Sequence, residues 1–179
     1  MFTLSNSAVV LLEELLRTRQ AQAFGSWFQD AVAVALGTLP QYAKCYANPG
    51  AGQPDILAGK TGFEVKTTSM GTVNLEGNYQ AIRPHYPVFK LIGLRTDVRP
   101  FLLWVIEMPP VPPRSITFRA VMPQDTPVDH ELGPILAQRL SSVLVAAGNS
   151  WISAPDRKEA LVVLENMAKC LLWPDSTAA

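Results

Sequence analysis

Near the start of the chain, apolar side chains recur at steps of three and four residues. Leu12, Leu16, Ala23, Phe24, Trp27, Phe28, Ala31 and Ala35 fall on one stripe, which predicts helix across residues 7–36. Ser5, Asn6 and Ser7 offer N-caps, Gly25 is a point at which the stretch can divide into two helices, and Gly37 with Pro40 ends it. Residues 48–53, Asn-Pro-Gly-Ala-Gly-Gln, read as loop. The period then changes. Asp55-Ile56-Leu57-Ala58, Gly59-Lys60-Thr61-Gly62 and residues 63–68 read as strand, tight turn and strand, a hairpin.

Residues 71–90 are mixed, with a short helix around residues 79–82 that stops before Pro84. Strands are predicted over residues 101–107 and 115–122. Between them lies Pro109-Pro110-Val111-Pro112-Pro113, a stiff connector that cannot be a central strand. Helical spacing returns over about 131–147 and 155–172, with Asp156 available to cap the second stretch. There is no internal repeat. Helices, then strands, then helices predict a single α/β domain over residues 1–179 with a mixed central sheet flanked by helices. Its parts are N-terminal helices at 7–37, a hairpin at 54–68 and C-terminal helices at about 131–172.

Composition narrows the class. A chain of 179 residues, 48% hydrophobic and 17% charged, has the size and apolar content for one substantial core. The apolar runs at 101–106 and 161–164 are interrupted well before the roughly 20 residues that span a bilayer, so no membrane partner is expected. Glu13 and Glu14 interrupt the first apolar stretch and no basic segment precedes it, unlike a secretory signal, so the expected compartment is the cytoplasm. Cys45 and Cys170 have no Cys or His at zinc-ligand spacing and read as reduced thiols.

The net charge is zero, but its distribution is uneven: residues 1–59 carry −1, residues 60–99 carry +3 and residues 100–179 carry −2. The positive excess follows the hairpin. It is the sign a phosphate-bearing partner requires, and acidic residues kept to hold a metal would mask it in the total.

The hairpin is where the chemistry concentrates. With Lys60 and Thr61 as the central turn residues, Gly59 pairs with Gly62, Leu57 with Glu64 and Asp55 with Lys66. Side chains alternate along a strand, so Asp55, Glu64 and Lys66 share one face while Phe63 and Val65 anchor the other. Opposite Cβ atoms lie about 4.5–5.5 Å apart and diagonal ones about 7–8 Å, close enough for both carboxylates to meet one cation. Two hard oxygen ligands suit Mg²⁺. Lys66 can then stabilise charge that develops on a phosphate.

Gly52-Gln53-Pro54-Asp55, eight residues, and Glu64-Val65-Lys66-Thr67-Thr68 resemble the signature of the PD-(D/E)XK nuclease superfamily, and the Thr-Thr ending is similar to that of many type II restriction endonucleases. The likeness covers about 17 residues, 52–68. It implies a restriction-endonuclease-like core in which a helix precedes a mixed four-stranded sheet whose second and third strands carry the motif. It further implies Asp55 and Glu64 as metal ligands, the Val65 backbone carbonyl as a third, Lys66 as the catalytic lysine, Mg²⁺ as cofactor and double-stranded DNA as substrate. The restriction type implies a homodimer, since a two-fold axis matches a palindrome.

Many members add an acid from the first helix. This sequence lacks the usual glutamate there, and Asp30, which carries a charge, is preferred over Gln29, with Glu13 or Glu14 as further choices. Asn78, Gln80, Arg83, His85 and Lys90 are candidates for contacts to phosphates or bases. Trp104, Trp173, Phe89 and Tyr79 read as packing residues. Three rival readings remain at this level: a repair, junction-resolving or mobile-element nuclease with the same core, a non-catalytic DNA-binding or assembly module, and a protein-interaction domain.

Overall fold

The first helix begins at its cap. The Ser5 hydroxyl accepts the Ala8 amide at 3.2 Å, and α1 runs over Asn6–Thr18. These details come from a computed structural model that describes residues 1–47 and 50–174; Asn48 and Pro49 of the expected loop lie outside the described residues. The second helix, α2, spans Ala21–Gly37. The division falls at Arg19 and Gln20, both extended, rather than at Gly25. Tertiary contacts set that break: the Arg19 guanidinium lies over the Trp27 ring at 4.7 Å and donates to the Ile152 carbonyl at 3.1 Å. Gly25 sits within α2, facing Thr67.

The strands are β1 (Phe2–Thr3), β2 (Cys45–Ala47), β3 (Ile56–Ala58), β4 (Thr61–Thr68), β5 (Thr72–Asn74), β6 (Val88–Arg95), β7 (Leu102–Glu107) and β8 (Ser115–Thr117). A mixed six-stranded sheet runs in the order β1-β7-β6-β4-β3-β2; β4 and β6 are parallel and every other neighbouring pair is antiparallel. β5 and β8 form a separate two-stranded sheet. The strand expected over 115–122 is therefore short and outside the central sheet. Conversely β6, which no alternation announces, is central. Its core is buried on both faces, as the middle of a mixed sheet demands, so it reads as an apolar run.

The remaining helices are α3 (Asn78–Ile82), α4 (Leu132–Ile152) and α5 (Arg157–Cys170). Gly148, at φ 53° and ψ −137°, breaks the course of α4 near its expected end, and Asp156 caps α5 by accepting the Glu159 amide at 2.9 Å. Among the described residues no helix is long and apolar enough to cross a membrane.

Side-chain alternation divides the sheet into two buried faces. Phe63 and Val65 of β4, Ile92 and Leu94 of β6, and Leu103 and Val105 of β7 meet α1, α2, α4 and α5. Phe89, Leu91, Leu102, Trp104 and Ile106 point the other way, under α3 and the β5–β8 ribbon. Helices thus flank both sides, with the heavier layer on the Phe63 face.

Gly93 shows how tightly the lighter side is built. It pairs with Lys66 in β4 and Trp104 in β7, and a Cβ added to it would come within 2.1 Å of the edge of the Phe118 ring, which stacks on Trp104 at 5.1 Å. Gly93→Ala is expected to cost about 1–3 kcal/mol by overpacking, read as a lowered midpoint in urea unfolding. An unchanged midpoint would show that Phe118 yields freely.

Candidate active site

The hairpin turns on Gly59 and Lys60, not on Lys60 and Thr61. Gly59 adopts φ +62°, a conformation that glycine reaches without Cβ strain, and this draws the turn back by one residue. Ala58 pairs with Thr61, Leu57 with Gly62 and Ile56 with Phe63. Continued by one step, this register sets Asp55 opposite Glu64, where Lys66 was expected. The slip amounts to two positions, so every side chain keeps its face. Asp55, Glu64 and Lys66 remain together on the side shared with Leu91 and Gly93.

β3 begins only at Ile56, leaving the β4 edge from Glu64 onward without a strand partner on that side among the described residues. Asp55 fills the gap, its Oδ2 accepting the Val65 amide at 2.9 Å. Within a strand, the N–H and C=O of one residue leave on the same side. The Val65 carbonyl is therefore directed toward the Asp55 edge and away from β6. Glu64 is buried, and the Lys66 Nζ lies 2.9 Å from its Oε1 while about a third of the Lys66 side chain stays in solvent.

Burial pushes the Glu64 carboxyl above its ordinary pKa of 4.5; the neighbouring Asp55 charge pushes it further, and Lys66 opposes both. The folded protein therefore holds this proton more tightly than the unfolded chain. Glu64 ionisation costs stability as pH rises from the ordinary glutamate value through the raised one, and that cost persists above it. A cation bound by Glu64 must displace the same proton. Mg²⁺ affinity measured by titration calorimetry is expected to fall on acidification at a higher pH than an ordinary glutamate would dictate, and a flat profile across the raised value would refute the assignment.

Among the described residues no group of three or more His, Cys, Asp and Glu side chains gathers to hold a metal. What the hairpin offers is two carboxylates and one backbone carbonyl directed to the same edge. Three hard oxygens with solvent beside them fit Mg²⁺, which keeps much of its water.

The first-helix acid falls elsewhere. Asp30 is buried in α2, in the helical layer on the sheet face opposite Glu64, and both its oxygens are taken by Arg157 of α5 at 2.7 and 2.9 Å. A helix turns by about 100° per residue, so its neighbour points differently. Gln29 is the residue that reaches the hairpin, its Nε2 donating to the Asp55 carbonyl at 3.2 Å. Glu14 pairs with Arg17 and Glu13 with Arg99, both away from this edge.

The downstream candidates are mostly committed to the scaffold. Arg83 is buried and donates to the carbonyls of Met108, Pro109 and Tyr86; Gln80 reaches the Pro112 and Pro113 carbonyls at 3.4 Å. Together they tie the proline-rich connector to α3. Lys90 pairs with Asp129, Arg95 with Asp97 at 2.7 Å and Arg99 with Glu13 at 2.5 Å. His85 is exposed, and the Asn78 side chain lies outside what the structure describes. The local positive excess is therefore largely partnered rather than displayed as a basic face.

Two apolar surface grooves of about 780 and 870 Å³ lie elsewhere, one between Phe2 and α4 and the other between α2, β2 and α5. They bring together no chemistry comparable to the hairpin. The chain matches no protein-family model, no curated protein and no solved structure.

Proposed function

We propose that this protein is a Mg²⁺-dependent endonuclease that hydrolyses DNA phosphodiester bonds, built on a restriction-endonuclease-like core and acting as a type II restriction enzyme. The observation that carries this reading is the convergence of Asp55 and Glu64 at the frayed end of β3, with Lys66 held against Glu64. Two carboxylates facing each other, one of them buried, repel unless a proton or a cation lies between them. Such a pair beside a lysine is an arrangement expected of a catalytic site rather than of a solvated hairpin.

The order of elements supports the same reading. After α2 come β2, β3 and β4 in antiparallel succession and then β6 parallel to β4, and the motif lies on the second and third of these four. This is the arrangement that the sequence resemblance implies.

Asp55, Glu64 and the Val65 carbonyl would hold the cation, which when bound supplies Lewis acidity and lowers the pKa of the attacking water. The protein's own contributions can be stated separately. The Val65 amide fixes Asp55, so one carboxylate enters the site already oriented. Lys66, about a third in solvent, meets an arriving phosphate and neutralises charge that develops on it. Phe63 and Val65, buried on the opposite face, hold the strand still beneath both. Cutting both strands of a palindrome calls for two copies related by a two-fold axis, so a homodimer is part of the proposal.

The test is incubation of the purified protein with duplex, nicked, branched and single-stranded DNA, with Mg²⁺ or with chelator. Discrete Mg²⁺-dependent fragments from duplex DNA support the restriction reading. Cleavage confined to branched or nicked DNA moves the protein to the repair or junction-resolving class. No cleavage of any substrate rejects the catalytic reading.

A further inference from the structure

Tyr79 lies on α3 above the face that carries Glu64. It is 4% exposed, and its hydroxyl has no hydrogen-bond partner among the described residues. The ring meets Phe89 edge-on at 5.1 Å. Phe89 pairs with Gly62 of β4, and the next residues on that face are Leu91 and its partner Glu64, so Tyr79 stands beside the Glu64 column. Nor is the ring free to swing outward: the helix carrying it is tied down through Gln80 and Arg83 to the proline-rich connector.

A buried hydroxyl without a partner is costly, and phenylalanine would keep the same ring contacts without that cost. The indole nitrogens of Trp104 and Trp151 are also unpartnered, but no apolar side chain of equal shape exists to replace them. Tyr79 differs in another way as well. Burial raises its pKa, the Arg83 charge opposes this and the Glu64 charge adds to it, so the phenol keeps its proton and is a donor. A buried donor on the same side of the sheet as a buried carboxylate, with no direct hydrogen bond between them, can reach it through one water.

We propose that Tyr79 is a positioning residue for the cation site: through one bridging water its hydroxyl donates to the Glu64 carboxylate and holds it in the orientation that receives Mg²⁺. This rests on the reading of Asp55 and Glu64 as cation ligands given above. Outer groups that orient a metal ligand change metal affinity by about 10-fold or more when removed. A tyrosine kept only for packing would change it not at all.

The experiment compares wild type, Tyr79→Phe and Glu64→Ala by calorimetric titration with Mg²⁺ and with Mn²⁺, alongside thermal unfolding of each cation-free protein. The expected result is Mg²⁺ binding about 10-fold weaker in Tyr79→Phe, with a melting temperature equal to or above that of the wild type. Tyr79→Phe binding as tightly as wild type, whatever its melting temperature, overturns the inference and leaves the cation site standing. If wild type shows no binding that Glu64→Ala abolishes, the cation site itself fails and the role of Tyr79 falls with it.

Discussion

Lys66→Ala is expected to lower the rate of Mg²⁺-dependent DNA cleavage by about 10²–10³-fold, the scale seen when one group aimed at developing charge is removed. The substitution also strips Glu64 of its partner at 2.9 Å, leaving a buried carboxylate beside Asp55 with nothing opposing either burial or repulsion. Glu64 then binds its proton more tightly, so the apparent Mg²⁺ affinity near neutral pH falls and the rate recovers in part as pH rises. Lys66→Arg separates the two effects. It keeps the charge but not the compact ammonium, and it is expected to preserve cation affinity better than rate. Full activity in Lys66→Ala would remove the lysine from the mechanism, and single-turnover rates at saturating Mg²⁺ across a pH series are the measurement that decides.

Arg157→Ala carries the largest expected effect on stability. Asp30 is buried, and removing the guanidinium that fills both its oxygens leaves an uncompensated charge inside the helical layer. Such losses run to about 3–5 kcal/mol; the Arg157 side chain is 37% exposed, so about 2–3 kcal/mol is the reasonable figure after solvent screening. For a domain of this size the melting temperature should drop by roughly 4–12 °C. Cation affinity should not change, because this pair lies on the other side of the sheet from Glu64. Asp30→Asn gives the complementary reading: a smaller stability loss and wild-type Mg²⁺ binding. Loss of Mg²⁺ binding in Asp30→Asn at an unchanged melting temperature would return Asp30 to the site.

These two expectations mark where local pattern is informative and where it is not. The shared face of Asp55, Glu64 and Lys66 depends only on alternation along two strands, and alternation survives the error in turn position because the slip moved pairing by two. Helix ends with side-chain caps were legible for the same reason: Ser5 and Asp156 bond to amides three residues away, within reach of a local rule.

The chain by itself thus determined the layer architecture, the capped helices and the three hairpin residues that point one way, because each follows from contacts among near neighbours in sequence. Tertiary structure alone decided the rest. It made β6 central, since a strand buried on both faces carries no alternation. It broke the first helical stretch at Arg19 and Gln20, through contacts with Trp27 and the end of α4. It committed Asp30 to Arg157, 127 residues away, and turned Gln29 toward Asp55 instead. It also buried the Tyr79 hydroxyl on the Glu64 side of the sheet, because the crossover from β4 to β6 lays α3 over that face. Partners so distant in sequence meet only when sheet and helices close together, and no local spacing encodes which of two adjacent helix residues will face the sheet edge.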